Sequence, residues 1–206
     1  MPSIVDIGLG KVGSNSHPIH PSTVHLPIAF LLAASGLDIL SYLTTNSSTL
    51  LKTVTSVSSI FTSNATPIGV LYHLSLFSYA STIAGIFTSF PAISSGLIEF
   101  YSLVQTHGLD FSNQKIKITA IHAALNDIAI FGAAYNVLTR YGKEAWAPSG
   151  KNTFVSALML GGVGYAAFLG GGLVYTHGVG VQRMGKGKEE KEEGLRKEIA
   201  QAKKEL

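Results

Sequence analysis

Four apolar runs, at about residues 24–44, 70–90, 117–139 and 153–177, constrain this chain more than any motif in it. A bilayer core about 30 Å thick takes roughly 20 apolar residues of helix to cross, and each run reaches that length. Backbone N–H and C=O groups must find partners within the segment in hydrocarbon, so the runs are expected as helices. Charge supports this reading: 13% of the 206 residues are charged, against roughly 25% in a soluble domain. About half of those charges fall in residues 183–206. The implied fold is an all-α, four-helix transmembrane bundle over residues 1–182, with a charged, solvated tail over 183–206.

Composition removes several classes of function. The absence of cysteine excludes disulfides, zinc ribbons, thiolate haem ligation and cysteine-bound iron–sulfur clusters. A net charge of +3, with tail bases mixed among acids, leaves no nucleic-acid footprint. The glycine clusters lack the Gly-Lys-Ser/Thr of a phosphate loop, and no nucleophile–base–acid arrangement supports a hydrolase. Residues 1–16 show no leader-peptide pattern, so insertion is expected to rely on the first span.

Helical spacing assigns faces within the runs. In the first, Pro27 suits a first turn, and Ser35, Asp38 and Tyr42 share a face that should look inward. Residues 45–67 place Leu50, Val54, Val57 and Phe61 at amphipathic spacing, as in a helix lying at the interface. Pro91 is expected to break or kink the long second run, with Ala80 and Ala84 as a contact stripe. The third carries His122, Asn126, Ala129, Ala133 and Asn136 on one face, with Asp127 off it and Arg140 and Lys143 at its end. The fourth repeats small residues at Gly162, Ala166 and Gly170. Trp146 suits an interfacial anchor. Glu192/Arg196 and Glu193/Lys197 suit a short helix in the tail.

Four spans place both termini on one side, with eleven lysines and arginines there and four on the other. The positive-inside rule makes the termini cytoplasmic. Two sequons, at Asn46 and Asn64, fall on the opposite side.

The same topology gathers histidines. Three of the seven, His17, His20 and His25, lie within nine residues before or at the first span. His107, His122 and His177 come to the same membrane face, with Glu99, and His73 alone belongs to the other. Imidazoles on two helices can ligate a b-type haem from both sides. His25, His122 and His177, with Glu99, could instead hold a transition metal. The leading reading is a haem- or metal-binding protein for electron transfer, with His25, His122 and His177 as ligands and an unidentified redox partner. His17 and His20 read as a proline-stiffened lead-in. A non-catalytic packing or assembly protein is the second reading. A proton-coupled carrier using Asp38 and Asp127 is the third, both acids being expected as internal hydrogen-bonding partners.

Several blocks resemble a known family. They are His17-Pro18 with His25-Leu26-Pro27-Ile28-Ala29-Phe30-Leu31-Leu32 and Asp38; His122-Ala123-Ala124-Leu125-Asn126; Tyr135-Asn136-Val137-Leu138-Thr139-Arg140; and Gly171-Gly172-Leu173-Val174-Tyr175-Thr176-His177-Gly178-Val179-Gly180-Val181. Their order resembles the domain-of-unknown-function 2231 family of small multi-span membrane proteins, over roughly residues 16–182. The family's usual Gly-x-x-Asp reads here Gly96-Leu97-Ile98-Glu99. The resemblance implies four spans and no established activity; its histidine pattern is similar to that of two-haem membrane cytochromes, by analogy.

Overall fold

The computed structural model describes residues 3–11, 18–180 and, in the tail, 192–194, 196–197, 199–201 and 203. His17, Val181 and the remaining tail positions lie outside the described residues. The helices are α1 (Ile4–Gly8), α2 (Ile19–Thr23), α3 (His25–Asn46), α4 (Ser48–Ser58), α5 (Pro67–His107), α6 (Gln114–Arg140) and α7 (Gly150–Tyr175), with a 3-10 turn at Glu144–Trp146. No strand occurs among the described residues. Four helical stretches are long and apolar enough to cross a membrane: Ile19–Asn46, Pro67–His107, Gln114–Arg140 and Glu144–Tyr175.

The chain divides into two compact units. Unit 1 comprises residues 1–24, 91–122 and 168–206; unit 2 comprises residues 25–90 and 123–167.

Unit 2 is built from helix faces spaced by three and four residues. Buried positions are Leu31, Ala34, Ser35, Asp38 and Ser41 on α3, with Ser75, Ser78, Thr82 and Ser89 on α5. Ala129, Ala133, Asn136 and Arg140 do the same on α6, and Asn152, Ser156, Met159, Val163 and Ala166 on α7. Leu31, Ala129, Ala133, Met159 and Val163 form an apolar cluster. Beside it the buried face is mostly polar, while Phe77, Phe87, Phe131, Leu138 and Phe154 are exposed. This inversion suits a lipid solvent, which gives apolar side chains no reason to hide and polar ones every reason. At Gly85 a Cβ would stand 2.7 Å from Leu31 Cδ2, so a side chain here would force Leu31 to move.

Unit 1 buries Leu9, Ala92, Leu103, Ile116 and Leu173. Its first helix opens with a capping box, in which the Ser3 hydroxyl accepts from the Asp6 N–H and the Asp6 carboxylate accepts from the Ser3 N–H. In the tail, Lys197 pairs with Glu193 at 2.8 Å in the expected i, i+4 relation, both exposed.

Several expectations are corrected. Of the break or kink expected at Pro91, the break is absent, and α5 continues helically through it to carry Glu99. Hydroxyls bond back to carbonyls along this stretch, Ser89 to Gly85 at 2.7 Å and Ser95 to Pro91 at 2.8 Å, the kind of support that lets membrane helices carry proline. The packed stripe of α5 is hydroxyl-rich, and Ala80 is exposed. A Cβ on Gly162 would meet nothing within 4 Å, so Ala166 and Gly170 carry the close packing assigned to that stripe. α4 ends at Ser58, which leaves Phe61 outside the helix. Asp127 is exposed, not internal.

Candidate functional site

Two polar clusters stand out, one in each unit. In unit 1, α2 delivers His20 and α6 delivers His122, and their rings meet edge to face with centroids 6.4 Å apart and planes at 90°. His20 Nδ1 lies 3.0 Å from the Ala92 carbonyl oxygen and 3.2 Å from Ser95 Oγ. A carbonyl only accepts, so Nδ1 carries the hydrogen and donates, and the neutral ring keeps its lone pair on Nε2. Thr23 Oγ1, 3.2 Å from Ser95 Oγ, completes the support.

Each ring rests on a glycine. A Cβ on Gly96 would stand 2.9 Å from His20 Cε1, and one on Gly170 would stand 3.0 Å from His122 Cε1. A side chain at either position would make the imidazole against it shift. Glu99, one turn beyond Ser95 on α5, is buried at 6% exposure. Gly180 comes close to it: a Cβ there would lie 3.6 Å from Glu99 Oε1.

The pair can be tested against the groups considered from sequence. Imidazole–metal bonds are ~2.0 Å, so two rings on one metal place their centroids ~6 Å apart. The observed separation is of that size. The edge-to-face meeting turns the face of one ring, not its nitrogen, toward the other, so shared ligation requires that ring to rotate. The Nδ1-to-carbonyl bond is the usual orienting contact of a ligating histidine. A bare transition ion wants three or four protein ligands. Among the described residues no group of three or more His, Asp or Glu side chains is placed to hold one. A haem iron needs two, because its macrocycle supplies the rest.

In unit 2 the centre is an ion pair. Arg140 Nη1 donates to Asp38 Oδ1 at 2.7 Å, with side-chain exposures of 0% and 1%. The remaining valences are filled. Ser78 Oγ donates to Asp38 Oδ1, and Ser156 Oγ to Asp38 Oδ2 at 2.6 Å. Arg140 Nε donates to the Trp146 carbonyl at 2.7 Å and Nη2 to the Ser75 carbonyl at 3.1 Å. The guanidinium stands 5.3 Å from the Tyr79 ring centre, and Tyr79 stacks on Trp146 at 5.7 Å. Asn136 Nδ2 bonds Ser156 Oγ at 2.8 Å, and Asn152 Nδ2 bonds Asn136 Oδ1 at 3.0 Å. Ala145 and Trp146 adopt φ of 51° and 49°, left-handed values that cost non-glycine residues energy. That turn presents the Trp146 carbonyl to Arg140. Trp146 is thus a half-buried packing residue as well as a candidate interfacial one.

The histidines assigned from sequence fall in both units, His122 and His177 in unit 1 and His25 in unit 2. His122 is in the pair. His25 opens α3 in unit 2 with an exposed side chain. His177 lies past the end of α7, half-buried, its N–H bonded to the Gly172 carbonyl at 3.2 Å. His20, read from sequence as lead-in, is the ring that meets His122. Its i, i+3 relation to Thr23 in a short helix was the available signal, and three nearby prolines obscured it. Arg140 was read as a helix-end charge. Continuing Asn126, Ala129, Ala133 and Asn136 by one more step of four reaches it.

A family model described as "Predicted membrane protein (DUF2231)" matches residues 16–183. No curated protein and no solved structure matches the chain.

Proposed function

The chain belongs to the DUF2231 family of membrane proteins, and from that premise we propose that it binds a b-type haem in unit 1 and serves electron transfer in the membrane. The observation that carries this is the His20–His122 pair: two imidazoles on separate helices with centroids 6.4 Å apart, the separation one iron between them would set once the face-on ring turns its nitrogen inward. His122 and His20 would hold the group, which supplies a one-electron redox centre when bound. The Ala92 carbonyl keeps His20 in the tautomer that offers Nε2. Gly96 and Gly170 give both rings room in their register. His177, also in unit 1, stands as the alternative partner for His122.

Both termini are assigned to the cytoplasm. Arg140 is consumed by Asp38 and drops out of the loop count, which leaves eleven cations against three and strengthens the bias. Labelling of single cysteines placed in residues 45–67 from outside the cell tests this; labelling only from the cytoplasm would reverse it. A carrier built on Asp38 has less support, because both its carboxylate oxygens are already engaged.

The test of the haem reading is the visible spectrum of the full chain purified in mild detergent after expression with haem supplied. A Soret band with a reducible low-spin signature is expected. A chain that is fully helical yet shows no Soret band would overturn the proposal.

A further inference from the structure

Asp127 sits at the midpoint of α6, about 20 Å from either end at 1.5 Å per residue, and its side chain is exposed. Among the described residues no hydrogen bond or ion pair engages it. An acid at that depth facing lipid is unfavourable by several kcal/mol unless something polar meets it. Its surroundings have the pattern of a helix contact. Ala124, Asp127, Phe131, Ala134 and Leu138 follow a three-four-three-four spacing, the seam of a paired helix. Phe131 and Leu138 are 76% and 75% exposed.

We propose that this face of α6 is a homodimer interface, in which a second copy of the chain places its own Asp127 against the first and the two carboxyl groups hydrogen-bond across a two-fold axis. Complementarity selects this occupant. A carboxyl in hydrocarbon pairs with a cation, with a hydroxyl or amide donor, or with another carboxyl. No lysine or arginine is exposed in the middle of any of the four long helices, so a second copy offers no mid-membrane cation. It does offer Asp127, and copies inserted with one topology carry it at one depth, as a two-fold axis along the membrane normal requires. Small residues at Ala124 and Ala134 let backbones approach beside it, and a single polar residue in such a seam fixes its register.

The chain lacks cysteine, so single-cysteine variants of the full protein in lipid vesicles report one position each. Phe131→Cys and Ala124→Cys are expected to cross-link into dimers on mild oxidation, and Leu158→Cys, exposed on α7, is not. In a dilution series read by energy transfer, Asp127→Asn is expected to dimerise like the parent, and Asp127→Leu roughly tenfold more weakly. A monomer at all protein-to-lipid ratios would overturn the proposal. So would cross-linking through Leu158→Cys alone, or Asp127→Leu dimerising as the parent does. Cross-linking of Phe131→Cys in native membranes only to a different protein would assign the face to a foreign helix and also overturn it.

Discussion

Arg140 Nη1 lies 2.7 Å from Asp38 Oδ1, joining residues 102 positions apart with neither side chain reaching the surface. Each charge is buried against the other and against hydroxyls and carbonyls, so each depends on its partner. Removing one leaves an uncompensated charge in a low-dielectric interior, which destabilises by about 3–5 kcal/mol. Replacing both with apolar residues of similar size removes that penalty.

Asp38→Leu and Arg140→Met should therefore each destabilise the protein by about 3–5 kcal/mol, and the double variant by clearly less than their sum. Reversible unfolding in mixed detergent micelles, arranged as a double-mutant cycle, measures the coupling. Additive losses would mean that the pair is not an energetic unit.

Gly85→Ala should destabilise by about 1–3 kcal/mol through overpacking, since Leu31 belongs to the buried cluster and has little room to give way. Leu31→Val in the same chain should recover part of the loss. The same unfolding assay reads both.

Gly96→Ala and Gly170→Ala should impair haem uptake, because each new methyl group meets an imidazole. Gly162→Ala should leave uptake unchanged and stabilise α7 by about 0.5–1 kcal/mol, as alanine does in an open helix position. Haem titration followed at the Soret band, with unfolding in parallel, separates the two effects.

The turn between α5 and α6 should depend on pH. The Ser112 hydroxyl, and then its N–H, bond the Asp110 carboxylate at 2.7 and 2.8 Å and hold it below the ordinary value of 3.8. A depressed folded value means that the turn's contribution is present above the unfolded value and is lost as pH falls through the folded one. Loss of order at Ser112 should therefore begin only below about pH 4, and Ser112→Ala should return Asp110 to the ordinary carboxylate range. A carboxyl NMR titration checks both.

The fold was legible because lipid imposes a simple code. Length and apolarity identify the spans, and the polar stripe through Asn126, Ala129, Ala133 and Asn136 identifies an inward face. Proline obscured one feature, because its local rules are derived for helices without neighbours. Pro91 sits inside a helix that hydroxyls support, and the turn that carries His20 has Pro18 as its N-cap and Pro21 within it. Asp38 was legible as internal because it shares a stripe with Ser35. Asp127 was not, because an acid's sequence position does not reveal whether another chain covers it. Which histidines meet depends on helix rotation and on glycine contacts such as Gly170 against His122, and topology alone does not encode either.

The most direct test of the account is ligand replacement. Reduced-minus-oxidised spectra of haem-loaded protein should lose the low-spin signature in His20→Ala and in His122→Ala, and retain it in His25→Ala and His177→Ala. Loss in His25→Ala or His177→Ala with an unaltered spectrum in His20→Ala would contradict the assignment of the paired rings as the haem site.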